Sequence, residues 1–104
     1  MDNPHNGPIL MIVRLNTSLS EADLMEKAHE RSPEFQAIPG LLQKYYVRLG
    51  AGAGYGGIYV WDSLESLEAF RHSDLAATIP KAYQVVEPPQ IELMDILFPL
   101  RSFG

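Results

Sequence analysis

The stretch from Pro39 to Phe70, PGLLQKYYVRLGAGAGYGGIYVWDSLESLEAF, holds two strand patterns, the turn between them and the start of a helix. Leu41, Tyr45, Val47 and Leu49 fall on one side of an extended chain, and Leu42, Lys44, Tyr46 and Arg48 on the other. This alternation predicts a strand over 41–49 with one more polar face, suited to a sheet edge. The glycine-rich run from Gly50 to Gly57 follows, and Ile58 to Trp61 then reads as a strand with apolar or aromatic residues on both faces. Asp62 and Ser63 compete as the N-cap of the next helix, Asp62 having Glu65 at capping-box spacing. Leu64, Leu67 and Phe70 set the buried stripe of that helix, which should reach about His72.

Working outward, the run Ile9 to Val13 inside Pro8 to Leu15 is continuously apolar, as in a strand buried on both faces. Ser20 opens a helix, with Asp23 three residues on and Glu21 at the positive end. Leu24, Ala28 and Phe35 form its apolar stripe, and Pro33 predicts a stop or kink near Arg31 before Pro39-Gly40 ends the segment. After Phe70, a short helical turn is expected over Asp74 to Ile79, halted by Pro80. Glu87-Pro88-Pro89 reads as an extended linker, and Ile91 to Phe98 as the last strand, stopped by Pro99.

The order strand, helix, strand, strand, helix, strand predicts a ferredoxin-like α+β sandwich whose antiparallel sheet has the first and third strands at its centre. The two doubly apolar strands are those two, and the strands carrying Lys44 and Arg48 or Glu92 are the outer ones. Both helices should cover one sheet face. The apolar residues on the other face then need a cover that the chain does not supply, so a homodimer joined through its sheets is expected.

Composition bounds the rest. The 104 residues carry 46% hydrophobic and 20% charged side chains and a net charge of -5, from 13 acids against 8 bases. One soluble globular domain over 1–104 is expected. A chain of this size buries roughly 60 to 70% of its unfolded surface, so a large pocket competes with the core for apolar side chains. With no cysteine, disulfides and thiolate metal sites are excluded, which suits the cytosol. The acidic balance argues against nucleic-acid and anionic-membrane partners. Met1 to Pro8 lacks the basic region and cleavage site of a signal peptide, and no apolar run approaches the ~20 residues that span a bilayer. Asn16-Thr17-Ser18 matches a glycosylation sequon, which carries no meaning without secretion.

Three motifs fail on context. Gly52, Gly54 and Gly57 spell G-x-G-x-x-G, but a strand follows where a dinucleotide fingerprint needs a helix, so the glycines are read as a hairpin loop. His29-Glu30 begins H-E-x-x-H, yet position 33 is proline, and a metal site would need His29, His72 and carboxylates gathered by folding. His72-Ser73-Asp74 names a hydrolytic triad, but sequence neighbours cannot stack as nucleophile, base and orienter, so Ser73 is expected to cap the next helical turn. More informative are Tyr45, Tyr46, Tyr55, Tyr59, Trp61 and Phe70, either core and dimer interface or the wall of a semi-polar cavity between sheet and helices.

Pro39-Gly40-Leu41-Leu42, Lys44 and Gly56-Gly57-Ile58-Tyr59-Val60-Trp61-Asp62-Ser63, with Ser66-Leu67 and Ala69-Phe70, resemble the YdhR-type monooxygenase family of the dimeric α/β-barrel superfamily, which is antibiotic biosynthesis monooxygenase-like. The resemblance implies protomers paired sheet to sheet into a barrel, with a ligand pocket between the sheet and helices of each. It also implies oxygenase chemistry without metal, heme or flavin cofactor, on a small electron-rich aromatic substrate such as a polyphenol or quinol. Under that reading His72 is the expected base, Tyr46 and Tyr59 donate to a substrate oxygen, Trp61 and Phe70 wall the pocket, and Lys44 steadies an anionic intermediate. The competing readings are a non-catalytic dimeric binding or interaction module of the same fold, and a heme-binding relative, which predicts a Soret shift on adding hemin.

Overall fold

The computed structural model describes residues 7–101, and the segment Met1 to Asn6 of the signal-peptide argument lies outside them. Its elements are β1 (Ile9–Leu15), α1 (Glu21–Gln36), β2 (Leu41–Arg48), β3 (Tyr55–Trp61), α2 (Leu64–Arg71), α3 (Asp74–Ala82) and β4 (Gln90–Asp95). The sheet is antiparallel in the order β2-β3-β1-β4. The first and third strands are thus central, and the fold is the ferredoxin-like α+β sandwich that the element order predicts. Among the described residues no helix is long and apolar enough to cross a membrane.

Strand register sorts the side chains into two faces. Ile9 stands opposite Trp61 and Met11 opposite Tyr59, and these four join Phe35, Leu67 and Phe70 in one buried cluster, so this face lies under the helices. A second cluster of Leu24, Ala28 and Tyr83 fixes α1 against the end of α3. Leu10 opposite Val60, and Ile12 opposite Ile58, point to the other face.

Serine caps set the helix starts. Ser20 accepts from the Asp23 amide, Ser73 from the Ala76 amide and Ser63 from the Ser66 amide, which resolves the competition with Asp62 in favour of Ser63. Asp62 instead accepts from the Ser63 hydroxyl at 3.0 Å. Gly40 has a φ of +81°, and a Cβ there would run into Ser66. The Pro39-Gly40 pair therefore lets the chain enter β2 directly beneath the start of α2.

Several elements depart from the sequence expectation. Pro33 does not break α1: the His29 carbonyl, which its ring cannot serve, accepts from the Ser32 hydroxyl at 2.9 Å. Pro80 likewise sits inside α3, which runs to Ala82 instead of ending at Ile79. β3 starts at Tyr55 and takes in Gly56 and Gly57, leaving a shorter turn, a 3-10 turn over Gly50–Gly52 followed by Gly54, to close the hairpin. β4 stops at Asp95 because its partner β1 begins at Ile9; Leu97 and Phe98, expected in the strand, have no ladder partner and are exposed. A register shift between Leu41 and Gln43 breaks the alternation of β2. It returns Leu41 to the helix-covered face, opposite Trp61, alongside Lys44 and Tyr46.

Candidate functional site

The site is built on the edge strand. Lys44 stands opposite Tyr59, and Tyr46 opposite Gly57, so both side chains enter the layer between sheet and helices. Gly57 makes the room: a Cβ there would lie 3.3 Å from the Lys44 Cε and 3.1 Å from the Tyr59 ring. The lysine Nζ ends among three aromatic faces, 3.7 Å from the ring centroid of Phe35, 4.3 Å from that of Tyr46 and 4.5 Å from that of Tyr59. Behind Tyr59 the aromatic floor continues. Tyr59 stacks on Trp61 with an interplanar angle of 4°, and Phe70 packs on both, 5.7 Å and 5.3 Å away.

No carboxylate faces this amine among the described residues, and the second cation nearby lacks one too. Arg31 of α1 lies 5.8 Å over Phe35 and 5.7 Å over Tyr83; it donates to the Thr78 hydroxyl at 2.7 Å and leaves its Nε buried without a partner. The Tyr83 hydroxyl and the Trp61 indole N–H are also buried and unpartnered. Burial, and secondarily the charge of Arg31, push the Lys44 amine down to about 7. Burial pushes the Tyr83 phenol up to about 12, and raises Tyr46 and, further, Tyr59. The phenols therefore stay protonated at neutral pH, where the Lys44 amine is close to losing its proton.

Two cavities meet at Lys44 and Tyr46. A cleft of about 310 Å³ between α1 and β2 is lined by Ser32, Phe35, Gln36, Leu41, Leu42, Gln43, Lys44 and Tyr46. An inner cavity of about 30 Å³, among Lys44, Tyr46, Tyr55, Tyr59, Tyr83 and aliphatic neighbours, has space for about one water. Tyr46, itself 41% exposed, stands at the mouth between them.

Of the residues named from sequence, the fold brings Lys44, Tyr46 and Tyr59 together. Trp61 is fully buried as part of the core behind Tyr59, and Phe70 packs there too, its edge lining a separate groove between α1 and α2. His72 caps the end of α2 with its side chain 82% exposed, 3.6 Å from Glu68, and lines neither cavity at Lys44. Tyr45 points to the open face of the sheet, opposite Ile58. Phe35, Arg31 and Tyr83 join the cluster without a site signal in the sequence. Arg31 precedes Phe35 by one helical turn, but nothing in sequence signals that Tyr83 joins them. Among the described residues no three histidine or acidic side chains gather as a metal site.

No protein-family model and no curated protein matches the sequence. Solved structures do match. A Caulobacter crescentus protein bearing the antibiotic biosynthesis monooxygenase name superposes with a TM-score of 0.74 at 18% identity, over 90% of this chain and 93% of that one. SnoaB, a cofactor-independent oxygenase from Streptomyces nogalater, gives 0.72 at 13% identity over 92% and 99%. The chain has the fold of the antibiotic biosynthesis monooxygenases. A third monooxygenase of this fold, ActVA-Orf6 of Streptomyces coelicolor, whose structure holds nanaomycin D, gives 0.69 at 18% identity over 96% of each chain. At these identities the likeness to antibiotic biosynthesis monooxygenases is one of architecture, and the chemistry has to be argued from Lys44 and its neighbours.

Proposed function

We propose that the protein is a cofactor-independent monooxygenase acting on a small electron-rich aromatic substrate bound at the cleft between α1 and β2. The observation that carries this reading is the Lys44 amine, held among Phe35, Tyr46 and Tyr59 with no carboxylate partner. Its lowered pKa suits it to take a phenolic proton near neutral pH. The resulting phenolate is electron-rich enough to react with oxygen. For a phenol oxidised to a quinone, one oxygen atom enters the ring and the other leaves as water with the two hydrogens removed. Once protonated, Lys44 neutralises developing oxyanion charge, and Tyr46, which lines the cleft beside it, supplies an O–H donor, with Tyr59 behind them on the inner cavity. The fold shared with SnoaB and ActVA-Orf6 supports the oxygenase class, and the Pro39 to Phe70 motifs support a YdhR-type branch of it.

We further propose a cytoplasmic homodimer paired through the open sheet face. Tyr45, 53% exposed, and Met94, 43% exposed, flank Leu10, Ile12 and Ile58 there. The same cleft also suits a second reading, in which the protein binds an aromatic ligand there and does not turn it over.

Oxygen uptake by chelator-treated protein with a panel of quinols and polyphenols separates the two. The expected result is substrate-dependent uptake that falls by more than about tenfold in Lys44→Met, since general base catalysis contributes ~10²-fold or more. Tyr46→Phe should lower it less, and His72→Ala should leave it within about twofold, in keeping with a solvent-exposed side chain. Ligand binding without uptake would establish the binding module in place of the enzyme.

A further inference from the structure

The environment of Lys44 carries a second consequence, which does not depend on oxygen chemistry. A lysine becomes a nucleophile at neutral pH when it is taken out of water and set beside another positive charge. Lys44 meets both conditions: its Nζ is enclosed by Phe35, Tyr46 and Tyr59, and Arg31 is the cation beside it. The groups that face it are Arg31 from α1, Tyr46 from β2, Tyr55 and Tyr59 from β3 and Tyr83 from the end of α3, with no acidic side chain lining either adjoining cavity. A structural lysine in so apolar a place would be expected to hold a carboxylate, and this one holds none among the described residues.

We propose that Lys44 is a carbonyl-reactive amine, at which an aldehyde or ketone seated in the cleft between α1 and β2 condenses with Nζ to form an imine. The amine lone pair adds to the carbonyl carbon, giving a carbinolamine. One proton supplied by the surroundings lets the hydroxyl leave as water, and the proton remaining on nitrogen then returns to the surroundings, leaving the C=N bond. No oxidation or reduction is involved. Tyr46, which lines both cavities with Lys44, is the O–H donor placed to assist departure of the hydroxyl. The three ring faces favour the charged amine and so act against the shift, but they replace none of the hydrogen bonds that water would supply. The cleft volume of about 310 Å³ suits a single-ring carbonyl compound.

The chain has three lysines, and Lys27 and Lys81 on the surface serve as internal controls. The full-length protein is treated with 4-hydroxybenzaldehyde and sodium cyanoborohydride, which fixes any imine as a secondary amine, and the adducts are located by peptide mass spectrometry across a pH series. The expected result is labelling of Lys44 at neutral pH more than about tenfold faster than Lys27 or Lys81, with a half-maximal pH well below theirs. Lys44→Met should remove that adduct and leave those at the two surface lysines. Labels spread evenly over the three lysines, or Lys44 as the slowest, would overturn the proposal, and this wild-type comparison holds even where the variant folds poorly. Oxygen uptake is read in a separate vessel without reductant, so failure of the labelling leaves the oxygenase reading standing, and the reverse.

Discussion

At the scale of single residues, Lys44 is where sequence and environment diverge most. An alternating strand leaves its ammonium looking like one more polar side chain on an edge, whereas the register places it opposite Tyr59 under α1. That burial predicts a pH-dependent stability. In the folded protein Lys44 loses its proton near pH 7, while in the unfolded chain it keeps the proton until about pH 10. Between those values the unfolded chain binds more protons, so raising the pH favours folding. The penalty is fully present below about pH 7 and fades above it. Urea unfolding of the wild type and Lys44→Met should therefore show the wild type gaining on the variant by up to ~1.4 kcal/mol per pH unit between about pH 7 and pH 9. Parallel stability profiles would show that the amine stays charged in the fold. The role of Gly57 was likewise hidden: its place in a glycine-rich run suggests a loop, and the room it leaves for Lys44 and Tyr59 is visible only across strands.

At the scale of elements, Ser20 and Ser73 are legible as caps because a cap acts within three residues of itself, while Ser63 and Asp62 compete until the structure shows which accepts. Ser63 accepts from the Ser66 amide at 3.2 Å at the start of an eight-residue helix that carries Leu67 and Phe70 into the core. Ser63→Ala should destabilise the protein by about 1 kcal/mol, and Ser63→Asp should recover most of that loss, as chemical denaturation would show. A loss shared equally by both substitutions would point to the Ser63 contacts with Asp62 and the Ser66 hydroxyl instead. Pro33 and Pro80 are less legible. Pro33 forbids one backbone hydrogen bond, but whether a helix survives depends on what else serves the freed carbonyl, and here Ser32 does so. The shift in β2 and the early end of β4 have the same character, because a strand's phase and length are set jointly with its partner.

At the scale of the whole molecule, the helices cover one sheet face and leave Leu10, Ile12, Ile58, Tyr45 and Met94 on the other. The tail beyond β4 adds exposed apolar side chains, Leu97 at 93%, Phe98 at 75% and Leu100 at 90%. Sedimentation at micromolar concentration should show a dimer, and Tyr45→Asp should shift it toward monomer without loss of helical circular dichroism, because Tyr45 is half exposed in the protomer. A wild-type monomer would remove the dimer from the proposal. The sequence by itself determined the order of elements, the starts of α1 and α3, the central place of β1 and β3 and the failure of the nucleotide and metal motifs, because each depends on side-chain period or on neighbours a few residues apart. Only the tertiary structure decided the geometry of the candidate site. It removed His72 to the surface and Trp61 to the core, and gathered Arg31, Phe35, Lys44, Tyr46, Tyr59 and Tyr83 from four segments. Desolvation and the nearness of a second cation give Lys44 its character, and both are properties of the space around a residue, which no local pattern encodes.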